Sequence, residues 1–311
     1  MNQNSRVLVA GIDTIAGEAL LKFLKKSGYS DIQSLTGKSL QSQTEVDQLF
    51  AAFTPEYVFF MGASSLGIGG NQKFPAELFT QNTKAVLHLY ESARKYPPKK
   101  ILYLASSCIY PITAPQPMKP EHLGTGPLEP TCEAYAKAKI FGIDLAGAFQ
   151  KQLGLETVVA IPADTFGPEE DFQSENSHVV GALIKKIHAA QMKKTSTVTL
   201  WGTGKPVRDL IYSEDLSDAC LFLMQKGTSG TIYNVSAHHF TSVSDLARTI
   251  AHVLGYQVTF VHDLSKPDGA LAKTLDATPL KQLGWTSKFD LAEAIAKTYA
   301  GYLGKDGLAR A

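Results

Sequence analysis

The chain has 311 residues, 30 basic against 29 acidic side chains and 44% hydrophobic content, enough to bury one large or two modest cores without staples. A net charge of +1 excludes the basic surplus that nucleic-acid phosphates demand. Three cysteines without CxxC spacing, Cys108, Cys132 and Cys220, exclude a disulfide framework and a thiolate zinc site and fit a reducing compartment.

The first apolar run, Val7 to Ile12, is too short for a signal peptide or a membrane span, so no membrane association is expected and the expected location is the cytoplasm. Within it, Val7-Leu8-Val9-Ala10 reads as a strand buried on both faces. It passes through Gly11 into a helix around Gly17 to Lys26, which Gly28 ends. A second strand lies near Ile32 to Leu35. Tyr57 to Met61, Ile101 to Ala105 and Thr157 to Ile161 are further strands, each followed by glycine, serine or proline. Helices fall between them near Glu45 to Phe53, Pro75 to Lys95 and Glu133 to Leu153. This alternation implies βαβ units and a parallel sheet that binds ligands at its C-terminal strand ends.

Beyond Pro162 a polar loop, Gly167 to Ser177, precedes a helix from about His178 to Ala190. Val198 to Trp201, a turn at Gly202-Thr203-Gly204 and a strand near Asp209 to Tyr212 follow. Ser213, with Asp215 in the first turn, is expected to N-cap the next helix. Ile232 to Val235 is expected to return to the main sheet. The expected fold class is α/β, a doubly wound Rossmann-type parallel sheet with a smaller, partly interleaved C-terminal α/β substrate domain. The expected dinucleotide-binding domain spans 1–165, with 209–240 returning to it, and the substrate domain 166–208 and 241–311.

Gly11-Ile12-Asp13-Thr14-Ile15-Ala16-Gly17 sits where a strand opens into a helix, so a pyrophosphate can approach the backbone and the helix N-terminus. Thr14 replaces the middle glycine, and a purely structural turn with small residues has the same look. The second strand ends in Leu35-Thr36-Gly37-Lys38 and offers no carboxylate for a ribose 2′-hydroxyl. Lys38 can meet a 2′-phosphate or stand solvated. Tyr135 and Lys139 lie one helical turn apart on one face, and the fourth strand delivers Ser106 and Ser107 to its C-terminal end. A nearby ammonium and a bound cationic cofactor favour the phenolate, so Tyr135 can exchange a proton with a substrate oxygen near neutral pH. The alternative is a tyrosine packed on the sheet beside a surface lysine. Cys108 and His178, taken singly, read as a small core residue and a helix-start histidine.

The stretches Ser106-Ser107-Cys108-Ile109-Tyr110-Pro111, Leu128-Glu129-Pro130-Thr131, Tyr135-Ala136-Lys137-Ala138-Lys139-Ile140, Asn176-Ser177-His178-Val179, Trp201-Gly202-Thr203-Gly204 with Arg208, and Lys266-Pro267-Asp268-Gly269 resemble the GDP-L-fucose synthases along nearly the whole chain. These are extended short-chain dehydrogenase/reductases that epimerise and then reduce GDP-4-dehydro-6-deoxy-D-mannose. The resemblance implies that Ser106 and Tyr135 bond the sugar C4 oxygen and that Lys139 holds the nicotinamide ribose and lowers the tyrosine pKa. Cys108 and His178 would move protons at C3 and C5. It implies NADP(H), with NAD(H) as the alternative, held by Gly11, Thr14, Ile15, Gly17, Lys38, Lys139, Pro162 and His178. Ser107, Lys186, Trp201, Arg208 and Asp268 would contact the GDP-sugar. No metal is implied, and a homodimer on the long helices Pro75 to Lys95 and Glu133 to Leu153 is.

The departures from that pattern fall on cofactor and substrate contacts. Asp13 stands where the family usually has arginine, and Leu35 and Gly37 occupy positions that often carry arginines for NADP. Lys186 replaces an arginine, Asp164 an asparagine, and Ala270-Leu271-Ala272 a Thr-Pro-Arg run. They leave open a reductase or epimerase acting alone on a related GDP-4-keto sugar such as a GDP-heptose, or a nucleotide-binding regulatory protein.

Overall fold

The computed structural model describes residues 1–62, 64, 67–172, 178–266 and 268–309. Its first half alternates β1 (Val7–Ala10), α1 (Ile15–Lys26), β2 (Ile32–Leu35), α2 (Gln43–Phe53), β3 (Tyr57–Phe60), α3 (Gly67–Lys73), α4 (Pro75–Lys95), β4 (Lys100–Leu104), α5 (Glu133–Leu153) and β5 (Thr157–Pro162). Then come β6 (Asp164–Phe166), α6 (Val179–Lys193), β7 (Thr197–Trp201), β8 (Val207–Tyr212), α7 (Ser213–Lys226) and β9 (Ile232–Val235). The last part holds β10 (His239–Ser242), α8 (Val243–Val253), β11 (Thr259–Asp263), β12 (Ala272–Lys273), α9 (Thr278–Gln282) and α10 (Leu291–Ala309).

Among the described residues, β2-β1-β3-β4-β5-β9 form one sheet, parallel throughout. The continuous apolar runs of β1, β4 and β5 are buried along their whole length, because helices cover both faces of a parallel sheet. The order reverses between β1 and β3, which opens a crevice at their C-terminal ends. Registers Ala10↔Leu35, Ala10↔Phe60, Leu104↔Ala160 and Pro162↔Val235 bring the strand ends to one edge.

Helix α5 is fixed over that edge by a close approach. Its buried residues Tyr135, Ala138, Lys139, Gly142 and Ala146 follow helical spacing, so one face meets the sheet. Tyr103 in β4 donates its hydroxyl to the Lys139 carbonyl at 3.1 Å. A Cβ on Gly142 would collide with that ring and hydroxyl, so only glycine lets the helix lie this low.

A second apolar cluster joins Phe166, Ile184, Ile187, Leu210, Leu246 and Ile295. Over it, β8 pairs with β6, β10 and β12, and β7 pairs with β11. The strand expected near Asp209 to Tyr212 thus lies in this smaller sheet, and α7 and β9 make the return to the large one. Ser213 is the first residue of α7 rather than its cap, which is Tyr212. Ser213 is already inside the helix, and its hydroxyl donates to Glu169 Oε2 at 2.8 Å.

Candidate active site

The end of β4 turns sharply into a short 3₁₀ segment, Ser107–Ile109. Ser106 caps it, its Oγ accepting from the Cys108 amide at 3.2 Å. That bond fixes Ser106 and Cys108 side by side. From α5, Tyr135 and Lys139 reach the same place, both buried. Lys139 Nζ donates to the Leu104 carbonyl at 2.6 Å and lies 6.0 Å from the centre of the Tyr135 ring. Lys139 is therefore anchored to the strand end and is not paired with the phenol oxygen.

Without the cofactor, burial outweighs the cations around the tyrosine. Burial raises the Tyr135 pKa, charge on Cys108 adds to it, and the neighbouring Ser106 hydroxyl and Lys273 oppose it. Burial also pushes Lys139 down to about 7, which weakens its positive charge near neutral pH. The free chain thus keeps Tyr135 protonated, the state a proton donor needs.

Cys108 behaves in the opposite way. Its thiol is held below the ordinary range by a hydrogen bond from the Cys132 thiol, then by the Lys273 charge and Ser106, against the effect of burial. Lys273 Nζ lies 3.4 Å from Cys108 Sγ and 3.5 Å from Asp164 Oδ1. Neither Lys273 nor Cys132 was marked by any motif. Both come to the site only through the fold.

His178 caps α6. Its Nδ1 faces Glu170 Oε1 at 3.1 Å, and its backbone amide donates to the same oxygen at 3.0 Å. A carboxylate only accepts, so Nδ1 is the donor and Nε2 is left free. The Glu170 hydrogen bond raises the imidazole pKa, with further help from the charges of Glu170 and Asp164 against burial. Asn176, Ser177 and Pro267, which the resemblance includes, lie outside the described residues.

The β1–α1 turn meets the demands of a dinucleotide. Gly11 has φ +90°, and a Cβ there would collide with the Cα of Gly62 beyond β3, while one on Gly17 would strike the Gly11 carbonyl. Thr14, at the middle glycine's position, caps α1 by accepting from the Gly17 amide at 3.0 Å and donates to the Gly11 carbonyl at 2.9 Å. As in any first helical turn, Ile15 and Ala16 amides have no intrahelical acceptor and can meet a phosphate. The residues therefore fit the pyrophosphate of a dinucleotide. The carboxylate that the β2 end lacks arrives from the first turn, since Asp13 accepts from the Gly37 amide at 2.8 and 2.9 Å. Lys38 stands exposed beside it. Pro162 ends β5 two residues before Asp164.

The residues expected to hold the nucleotide diphosphate lie on elements around the second apolar cluster, Lys186 on α6, Trp201 on β7 and Arg208 on β8. Trp201 is 62% exposed, with the ammonium groups of Lys186 and Lys266 at 5.2 and 5.6 Å from its ring centre. A groove of about 340 Å³ runs along Lys186, Thr199 and Trp201. Arg208 is steadied by the Val207 and Ala270 carbonyls at 3.0 and 2.8 Å. Two expected sugar contacts are engaged within the protein. Asp268 accepts from the Thr203 amide at 2.6 Å and hydroxyl at 2.8 Å, pinning the glycine turn, and Ser107 is buried in the 3₁₀ segment.

The sequence model of the NAD dependent epimerase/dehydratase family matches residues 7–236. A GDP-L-fucose synthase of Sinorhizobium fredii is 38% identical over 299 residues, covering 96% of this chain and 95% of the relative. A GDP-L-fucose synthetase from Naegleria fowleri, solved bound to NADP, superposes with a TM-score of 0.88 at 25% identity over 100% of this chain and 98% of the other. A GDP-6-OMe-4-keto-L-xylo-heptose reductase from C. jejuni gives 0.90 at 25% identity, over 98% and 99% of the two chains. With its parallel sheet, glycine turn and Ser106–Tyr135–Lys139 cluster, the chain belongs to the NAD dependent epimerase/dehydratase family and, within it, to the GDP-L-fucose synthases.

Proposed function

We propose that the chain epimerises GDP-4-dehydro-6-deoxy-D-mannose at C3 and C5 and reduces it at C4, giving GDP-L-fucose. The observation that carries this reading is a second acid–base set beside the first: Cys108 adjoins Ser106 and contacts Lys273, whose charge, with that of Asp164, also reaches His178. Ser106 and Tyr135 serve an oxygen, while Cys108 and His178 serve carbon-bound protons. A simple reductase needs only the first.

The C4 ketone acidifies the protons on both flanking carbons. Cys108, already poised toward thiolate, removes one, and the electron pair moves onto the C4 oxygen as an enolate. Ser106 and Tyr135 donate to that oxygen. His178, protonated through its bond to Glu170, returns a proton to carbon from the other side. NADPH bound at the β1–α1 turn supplies the hydride for C4. Tyr135 then gives its proton to the C4 oxygen. Gly11, Thr14, Ile15 and Gly17 would hold the pyrophosphate, Lys38 the 2′-phosphate, and Lys139, Pro162 and His178 the nicotinamide end. The Asp13 carboxylate opposes the 2′-phosphate and keeps NADH usable. Trp201 offers the guanine a stacking face, and Lys186 and Arg208 offer the diphosphate its cations.

Two apolar cores support a dinucleotide unit over 1–165, with the return beginning at α7 within 209–240, and a GDP-sugar unit over 166–208 and 241–311, from which Leu275, Leu280 and Trp285 pack back onto the first core. The half-exposed Phe79 and Leu87 of α4 support a homodimer built on α4 and α5. Among the described residues no helix is long and apolar enough to cross a membrane. A working thiol beside a second one supports a reducing cytoplasm.

Incubation with the ketosugar and NADPH in deuterated water tests the reading. Cofactor oxidation with deuterium at C3 and C5 is expected. Oxidation without deuterium, or turnover of a GDP-4-ketoheptose in preference to the hexose, would replace it by a reductase acting alone.

A further inference from the structure

We propose that Lys273 is a positioning residue for the epimerisation, the fixed counter-ion that holds Cys108 ready as a thiolate, and that Asp164 sets how much of its charge the thiol receives. This rests on the reading of Cys108 as the base. Lys273 Nζ donates to Cys108 Sγ at 3.4 Å and faces Asp164 Oδ1 at 3.5 Å, so the ammonium stands between sulfur and carboxylate. Only about a fifth of the Lys273 side chain is exposed, so water screens both interactions weakly.

The segment that carries Lys273 is tied down on both sides. The Val207 amide donates to the Leu271 carbonyl at 2.9 Å, and Lys273 is in register with Arg208. The Thr274 amide and hydroxyl donate to Gln116 Oε1 at 2.7 and 2.8 Å, and the Leu275 amide donates to the buried Asp209 at 3.0 Å. Gln116 belongs to the loop that follows the Cys108 turn, so the lysine is anchored to the segment that holds its partner. A lysine on a loose loop would lose rotamer entropy on pairing; here the backbone has settled much of its position in advance.

The thiol and its cation are faced from several elements, and His178 at the start of α6 also feels the charges of Asp164 and Lys273. The Cys132 thiol comes from the turn before α5, Tyr135 and Lys139 from α5 itself, Asp164 from β6 and Lys273 from β12. Lys139 donates to the Leu104 carbonyl and is pushed toward neutrality by burial, which leaves Lys273 as the cation in contact with sulfur. Lys273 holds its proton above the usual range because Cys108 and Asp164 together outweigh its burial.

The experiment reads the thiolate directly. The rate of Cys108 alkylation by iodoacetamide is followed from pH 5 to 10 in the full chain, with mass spectrometry separating the Cys108 peptide from those of Cys132 and Cys220. Lys273→Met is expected to move the midpoint of the rate profile upward by at least about one pH unit, and Lys273→Arg to restore it. Asp164→Asn is expected to move it downward, since the carboxylate no longer shares the ammonium. The opposite signs separate a charge effect from general loosening. An unchanged midpoint in Lys273→Met overturns the assignment. Should that variant fail to fold, an unchanged or raised midpoint in Asp164→Asn overturns it equally. Alkylation needs neither ketosugar nor cofactor. A failure here therefore leaves the GDP-sugar reading standing, and a failure of that reading leaves this result intact.

Discussion

At the end of β4, Cys108, Tyr135, Lys139 and Lys273 sit in a packed interior where each is held by a named partner. Around the end of β7, Trp201, Lys186 and Lys266 stand in the open, in contact mainly with one another. In the first region burial moves proton affinities far from their ordinary values, upward for Tyr135 and downward for Lys139. In the second, water damps each charge, and binding has to come from stacking area and several weak cations. The two regions divide the work accordingly. Chemistry needs protonation states set in advance, whereas a GDP group brings its own charge and ring and needs only a complementary face.

The sharpest way to break this division is Cys108→Ser. A serine hydroxyl keeps the geometry but is not a thiolate, so deuterium exchange at C3 and C5 should fall by roughly 10²–10⁴-fold. NADPH oxidation with an already epimerised ketosugar should change far less. Equal loss of both steps would show that Cys108 also serves the reduction.

The platform predicts a different signature. Trp201→Ala should remove about 1–3 kcal/mol of base stacking and raise KM roughly tenfold while leaving kcat near its original value. A comparable fall in kcat would mean that the platform also aligns the sugar.

His178 combines the two kinds of surroundings, with its imidazole partly in solvent and its partner Glu170 buried. Because Glu170 raises its pKa, the acid form persists to higher pH than for a free imidazole and is lost as pH rises through that raised value. Glu170→Gln should therefore move the alkaline limb of kcat/KM to lower pH. A limb that stays in place would exclude His178 as the titrating acid.

The smallest effect is expected at the cofactor. Asp13 is exposed, so Asp13→Asn should raise the preference for NADPH over NADH only roughly threefold, read by calorimetry with each dinucleotide. No change would place the 2′-phosphate away from the Asp13–Gly37 contact.

How much of this was legible in the chain depends on the distance over which each feature is encoded. The helices Pro75–Lys95 and Glu133–Leu153 and the strand Ile32–Leu35 occur with the boundaries read from periodicity, because caps, glycines and apolar spacing are local. Tyr135 and Lys139 share a face for the same reason. Ser213 departs from its expected capping role because the helix already includes it, with Tyr212 as its cap, while its hydroxyl donates to Glu169, 44 residues earlier in the chain. Lys273 carried no signal at all, since 165 residues separate it from the thiol it touches. Asp13 was legible as an oddity, yet its hydrogen bond to Gly37 depends on how β1 and β2 lie side by side.

The near-neutral charge, the three unpaired cysteines and the alternation of strand and helix determined, from sequence alone, a parallel α/β protein with a glycine turn and a Ser–Tyr–Lys set. The motifs also placed it among relatives. Only the tertiary structure decided the protonation states, because burial and the approach of Lys273, Asp164, Cys132 and Glu170 depend on residues far apart in the chain. Proton affinity is a property of surroundings, and surroundings are made by packing.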